Sequence, residues 1–268
     1  MTKIYPIFLL PVLLVPFLAD RDWKSFFKYA GITVAVCFLI ELPVLINDPS
    51  TAFSYLTQHS GRGVEIQSII AVPLMVIGMV NPDLAHIEYV ESWDLFGPVP
   101  EAVAPFIMPV TFAIMILFIL YFLHLMWTRR PEEGKKFPFV VLSAAIVLVL
   151  FMIFNKVFCA QYVMWVIVLY PMLVYACREL GVDKGRLLYY LVFLTAASLL
   201  TVLCMYGSTE TITVQFVLAD ALKGIAGLVL LYHLIKLFRQ AWNPSGAVPG
   251  GPTLIKRLGN KVPNDRES

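Results

Sequence analysis

The chain of 268 residues is 59% hydrophobic and only 14% charged, and its mean hydropathy is +0.80. A soluble domain averages about 45–50% apolar and about 25% charged residues, so this composition excludes an ordinary soluble protein. The apolar runs are continuous rather than alternating, which argues against a β-barrel and predicts an all-α polytopic membrane protein. The formal net charge of +2 is uninformative, and no nucleic acid is among the expected partners.

The basic residues divide into clusters and isolated positions. Loops rich in Lys and Arg close to membrane ends mark the cytoplasmic side of a membrane protein. Sixteen of the 20 basic residues fall in clusters at Arg21–Lys28, Arg129–Lys136, Arg178–Arg186 and from Lys236 onward. The four that lie elsewhere are Lys3, Arg62, Lys156 and Lys223. We expect special roles for these four, because they do not serve to orient the chain.

The apolar runs, taken in order with the basic clusters inside, predict about seven transmembrane helices and one re-entrant or interfacial helix. The spans are predicted at Ile4–Ala19, Tyr29–Ile46, Pro105–Thr128, Phe137–Ile153, Val163–Cys177, Leu187–Tyr206 and Phe216–Phe238. The re-entrant helix is predicted at Ser68–Val80, which is shorter than the roughly 20 residues that a span needs. Residues 1–238 therefore form one transmembrane domain, and residues 239–268 are expected to be a disordered cytoplasmic tail.

This topology places the N-terminus outside and the C-terminus in the cytoplasm. Asn47–Gln67 is then an outer loop with a short interfacial helix, and Asn81–Ala104 is an acidic outer loop. An outer N-terminus with no preceding span is unusual. We therefore expect that upstream helices complete the functional unit, either ahead of Met1 or on another chain.

A polar and aromatic segment, FNKVFCAQYVMW at Phe154–Trp165, separates two long apolar runs. An ionised side chain costs at least about 2.5 kcal/mol at the centre of a bilayer, so polar groups in such a chain are candidates for function. The candidates in this segment are Asn155, Lys156, Gln161, Tyr162 and Trp165. Tyr162 and Trp165 either anchor the chain at the interface or stack on a sugar ring.

Three of the isolated basic residues fall on the predicted outer face, namely Lys3, Arg62 and Lys156. Cations at a membrane edge, with aromatic and amide groups between them, suit an anionic ligand such as a lipid phosphate. The fourth, Lys223, is three residues from Asp220 on a predicted helix, and we expect these two to form an ion pair on one helix face.

Sequence motifs of soluble enzymes give no further lead. The chain contains no GxxxxGK[ST], HExxH, CxxC or GxSxG motif. The four cysteines lie in or beside apolar runs and have no metal-ligand spacing, which is typical of small hydrophobic residues in a core. No metal site is therefore predicted.

The segment FNKVFCAQYVMW resembles a motif near the C-terminal end of the GT-C-type mannosyltransferases that use polyprenyl-phosphate-linked sugars. This family includes the GPI-anchor first-mannose transferase and its bacterial and archaeal relatives. KIYPIFLLP at Lys3–Pro11 resembles the family's Lys-x-Tyr-Pro helix start. FSYLTQHSGRGVEIQSI at Phe53–Ile69 resembles its outer loop, where Tyr55, His59, Arg62, Glu65 and Ser68 fill comparable places.

The resemblance implies transfer of a hexose from a polyprenyl-phosphate donor to a lipid or glycan acceptor at the outer face. Mannose is the expected hexose. It implies that Lys3, Arg62 and Lys156 hold the donor phosphate. The sugar site is then shaped by Gln161, Tyr162 and Trp165, with support from His59 and Glu65, and Asn155 is a further substrate-binding candidate. It implies no nucleotide or soluble cofactor, and it leaves a divalent metal open. A prokaryotic plasma membrane is the expected location.

One departure from the family bears on catalysis. The family's catalytic acidic residue lies in an outer loop upstream of the Lys-x-Tyr-Pro helix, and this sequence begins at that helix. The chain therefore resembles the C-terminal half of such an enzyme, and the general base is expected outside it. Two alternatives stay open: a flippase or transporter of lipid-linked sugars, which inverted repeats would favour, and a non-catalytic membrane subunit that partners an upstream half.

Overall fold

A computed structural model describes residues 9–48, 63–89, 92–206 and 211–243. The described helices are α1 (Leu10–Ala19), α2 (Trp23–Asn47), α3 (Ala71–Val80), α4 (Pro98–Arg129), α5 (Glu133–Phe154), α6 (Val163–Ile167), α7 (Tyr170–Glu179), α8 (Leu187–Met205) and α9 (Val214–Trp242). A 3-10 turn at Ala160–Tyr162 precedes α6. Six segments in these ranges are long and apolar enough to cross a membrane: α2, α4, α5, Ala160–Glu179, α8 and α9. The predicted all-α polytopic membrane architecture is confirmed.

The first, second and fourth helices differ in extent from their predicted spans, and α2 begins at Trp23, six residues before the predicted start at Tyr29. The described part of the first run is the ten-residue α1, and residues 1–8 lie outside the described ranges. Helix α4 begins at Pro98, seven residues before the predicted start at Pro105. Gly97 precedes it with a φ of +117°, which turns the chain, and proline suits a first helical turn because its missing N–H needs no partner there.

Helix α5 forms the centre of the bundle. It is apolar around its whole circumference, and residues 138–153 are all buried, as expected for a helix enclosed by others. It packs against α1, α4, α7 and α9. Helix α2 is the opposite case, because none of its residues is buried within the described part of the chain. Its apolar side chains suit a surface that faces lipid.

Helix α2 starts at a well-formed cap. Oδ1 of Asp22 accepts a hydrogen bond from the backbone N–H of Ser25 at 3.1 Å. Hydrogen bonds from Ser25 lower the pKa of Asp22, because they favour the ionised carboxylate. The charge at this position also complements the positive end of the helix dipole.

A small antiparallel sheet lies in the segments that were predicted as outer loops. Its strands are β1 (Val64–Glu65), β2 (His86–Tyr89) and β3 (Trp93–Phe96), in the order β1-β3-β2. Leu95 of β3 is the partner of both Val64 and Ile87. The prediction of loops is therefore wrong for these residues. Strands of two to four residues are too short to produce an alternating pattern, and the sheet depends on contacts between distant segments.

Helix α3 lies beneath this sheet. Its ten residues measure about 15 Å, half the thickness of the hydrocarbon core, which agrees with the predicted non-spanning element. Leu74 and Met75 of α3 pack against Val64 and Leu95 of the sheet and Phe216 of α9. Helix α3 thus fixes the sheet to the bundle.

The bundle has two distinct ends. We call the end that carries the basic clusters the basic edge; there α4 ends, α5 begins and α9 ends. At this edge Lys136 pairs with Asp20 and Glu133, and Phe139 stacks on Trp242 with ring centroids 3.9 Å apart. We call the other end, with the three strands and residues 155–162, the strand edge.

Candidate functional site

The segment Asn155–Cys159 leaves the helical path between α5 and the 3-10 turn, in the interval between two predicted spans. Thr111 of α4 donates a hydrogen bond from its hydroxyl to the carbonyl oxygen of Phe154 at 2.6 Å. Oδ1 of Asn155 accepts from the backbone N–H of Val157 at 3.3 Å. The end of α5 is therefore held by a neighbouring helix and by a local side-chain cap.

Three hydrogen bonds join this segment to the region around β1. The backbone N–H of Glu65 donates to the carbonyl oxygen of Lys156 at 3.0 Å. The thiol of Cys159 donates to Oε1 of Glu65 at 2.9 Å. The backbone N–H of Ala160 donates to Oε1 of Gln67 at 3.1 Å. Glu65 and the Asn155–Trp165 residues, singled out separately in the sequence, thus lie on two segments in direct contact.

Lys223 of α9 forms hydrogen bonds to both of these segments. Its Nζ lies 2.6 Å from Oδ1 of Asp220, which confirms the predicted ion pair. The same Nζ donates to the carbonyl oxygen of Phe158 at 3.2 Å and to that of Gln67. It also lies 4.7 Å from the centroid of the Phe158 ring. Lys223 and Asp220 are both completely buried.

Sequence reasoning missed the two carbonyl acceptors of Lys223. Backbone acceptors carry no sequence signature, and the partners are 65 and 156 residues away along the chain. The available signal was a lysine within an apolar helix, since such a cation needs several acceptors. One ion pair with Asp220 leaves two of its three N–H groups to be satisfied.

The polar candidates differ in exposure. Glu65, Asn155 and Lys156 are buried, with 5–6% of their surface exposed. Gln161 is exposed. Tyr162 is buried and stacks on the half-buried Trp165, with ring centroids 4.2 Å apart and an interplanar angle of 17°. Each of these two rings therefore has one face covered by the other.

Three other predicted site residues, Lys3, His59 and Arg62, lie outside the described residues. Their placement relative to Glu65 and Lys156 stays a prediction. Among the residues that the structure describes, no group of three or more His, Cys, Asp or Glu side chains could hold a metal ion.

Helix lengths place the site along the membrane normal. Helix α5 extends about 33 Å from the basic edge to Phe154, at 1.5 Å per residue. Thr111 and Lys223 lie about 27 Å and 29 Å from the ends of their helices at the basic edge, by the same rise per residue. These distances match a hydrocarbon thickness of about 30 Å. A segment at the end of helices of this length, such as Asn155–Tyr162, is expected at the level of the membrane–water boundary.

Comparison of the chain with protein-family models, with curated proteins and with solved structures gave no match. The site therefore has to be interpreted from its own residues.

Proposed function

We propose that this chain forms the donor-binding wall of a membrane glycosyltransferase. The reaction is transfer of a hexose, mannose in the first place, from a polyprenyl-phosphate carrier to a lipid or glycan acceptor. The observation that carries the proposal is the contact between two segments, residues 63–68 and 155–162. The helix lengths put this contact at the expected level of the membrane boundary. A polyprenyl-phosphate places its phosphate at this level and its chain in the hydrocarbon.

In this proposal Lys156 binds the donor phosphate together with Arg62 and Lys3. The phosphate gains negative charge as the bond to the sugar breaks, because it departs with the carrier. Fixed cations in a site shielded from water stabilise such developing charge strongly. The stacked pair Tyr162 and Trp165 and the exposed Gln161 form the sugar side of the same wall. The acceptor hydroxyl loses its proton to a general base, a role that we assign to none of the described residues.

The proposal is tested by Lys156→Ala and Arg62→Ala in this chain, expressed in membranes that contain a polyprenyl-phosphate sugar. We expect each variant to lower kcat/KM for transfer from a polyprenyl-phosphate sugar by about 10²-fold, the effect of removing one stabilising group. Lys135→Ala is the matched control, because Lys135 is half-exposed at the basic edge and pairs with Glu132.

Two outcomes would count against the transferase. Unchanged transfer in both variants would refute the phosphate-binding assignment. Movement of the lipid-linked sugar across proteoliposomes without transfer to any acceptor would instead favour a flippase.

A further inference from the structure

A cavity lies at the basic edge, far from the proposed donor site. It is a groove of about 540 Å³ on the outer surface of α8 and α9. Its lining consists of Arg186, Tyr189, Tyr190, Phe193 and Val229. The cation Arg186 thus lies at the N-terminal end of α8, and the other lining side chains are aromatic or aliphatic and lie further along the two helices.

The turn that carries Arg186 is fixed to α9. Nε2 of His233 donates to the carbonyl oxygen of Lys184 at 2.9 Å, and Tyr190 packs edge-on against the His233 ring at 4.9 Å. Gly185 has a φ of +54°, and a Cβ there would lie 3.3 Å from the His233 ring. A glycine is therefore needed for this close approach. The contacts hold the backbone of Arg186 at one position at the rim of the groove.

The rim is positively charged. Within the described ranges no carboxylate forms an ion pair with Arg186. The nearby carboxylate of Asp183 accepts a hydrogen bond from the backbone N–H of Gly185 at 2.9 Å. Lys236 and Arg239 add positive charge at the same end of α9. A guanidinium in this setting can bind a phosphate group through two parallel hydrogen bonds.

The walls of the groove are apolar and open toward the membrane. Tyr189 and Phe193 are 73% and 40% exposed, which suits side chains in contact with lipid rather than with water. A cation at a membrane edge above an apolar groove matches both parts of an anionic phospholipid, its head group and its acyl chain.

We propose that this groove binds an anionic phospholipid of the leaflet at the basic edge. Arg186 binds the phosphate, and an acyl chain lies along Tyr189, Phe193 and Val229. The site is independent of the proposed transferase reaction, because it is at the opposite end of the bundle from Lys156.

The test uses the full chain in phosphatidylcholine vesicles that contain spin-labelled phosphatidylglycerol or spin-labelled phosphatidylcholine. The motionally restricted fraction of each label gives the relative affinity of the protein for the two lipids. We expect wild type to prefer phosphatidylglycerol and Arg186→Gln to lower that preference about fivefold, since one basic residue near an anionic surface contributes roughly 1 kcal/mol. Arg130→Gln is the matched control and should keep the preference, because Arg130 is an exposed arginine directly after α4 at the same edge.

Phe193→Ala tests the apolar wall while Arg186 stays in place. We expect it to weaken restriction of the spin-labelled chain, and circular dichroism would establish that each variant keeps its helices. An equal preference in wild type and Arg186→Gln would overturn the proposal, as would an equal loss in Arg130→Gln. Displacement of the labelled lipid by millimolar inorganic phosphate would show a site for free phosphate and would also overturn it.

Discussion

The two ends of the bundle each hold a lysine–carboxylate pairing, and the two pairings differ in their exposure to solvent. At the basic edge Lys136 pairs with Asp20 and Glu133, whose side chains are 46% and 87% exposed. At the strand edge Lys223 and Asp220 pair with no exposure at all, and Glu65 and Lys156 are buried beside them in the fold. Exposed charges keep their hydration, whereas buried charges need protein partners in place of water.

The difference indicates different roles for the two sets of charges. Exposed ion pairs contribute about 0–1 kcal/mol, so the basic edge mainly fixes orientation in the membrane. A buried pair adds little net stability compared with a well-packed apolar pair, but it tolerates only one geometry. We infer that Lys223 holds residues 67 and 158 at a defined separation, and that this keeps the proposed donor wall in shape.

The largest expected effect comes from Lys223→Met. This change leaves the buried Asp220 carboxylate without the one partner that the described residues give it, and it frees the carbonyl oxygens of Gln67 and Phe158. We expect a loss of about 3–5 kcal/mol in the free energy of unfolding. Titration of the folded protein with SDS in mixed micelles would measure it.

Asp220→Asn is the matched variant for this test. It keeps the side-chain size and leaves Lys223 with two carbonyl acceptors and an amide oxygen. We therefore expect a clearly smaller loss than for Lys223→Met. Equal losses in the two variants would show that the ion pair itself matters more than the cross-link.

Close packing at the strand edge gives a second, smaller effect. A Cβ at Gly78 of α3 would lie 2.3 Å from the carbonyl oxygen of Ala85 and 2.7 Å from Cδ1 of Ile212. We expect Gly78→Ala to cost about 1–3 kcal/mol, because the backbone must shift to make room. The measurement is again the free energy of unfolding in mixed micelles.

Gly31→Ala is the control, because Gly31 lies within the exposed α2 and a Cβ there has no neighbour within 4 Å. That change should stabilise α2 by up to about 1 kcal/mol through helix propensity. A loss of similar size in both variants would mean that α2 is covered by a partner rather than by lipid.

The apolar runs were sufficient to predict that these segments are helical, because a span needs about 20 apolar residues. They did not predict the break between α6 and α7 within the predicted span Val163–Cys177. They could not predict the early start of α4 at Pro98, since the first turns of a helix outside the membrane need no apolar run. They also could not predict β1 to β3, whose pairing depends on residues 64 and 95 meeting in space.

The candidate site was predictable in part. The isolated Lys156 and Lys223 stood out because charges are costly in an apolar chain. The hydrogen bonds between the region of Glu65 and the Asn155–Tyr162 segment were not predictable, because they use backbone N–H and C=O groups that nearly every residue has. The resemblance to the GT-C mannosyltransferases placed both segments at one site, and the assignment of a substrate to that site stays a prediction.

The smallest expected effect is that of Lys136→Gln at the basic edge. Lys136 has two exposed carboxylate partners, so its loss leaves Asp20 and Glu133 hydrated rather than stranded. We expect a change below about 1 kcal/mol that shrinks further at high salt, since salt screens exposed charges. The cost of Lys223→Met should stay constant over the same salt series, because ions do not reach a buried pair. The distinction between the two edges would be removed if the cost of Lys223→Met in unfolding free energy varied with salt. A large cost of Lys136→Gln that did not vary with salt would remove it as well.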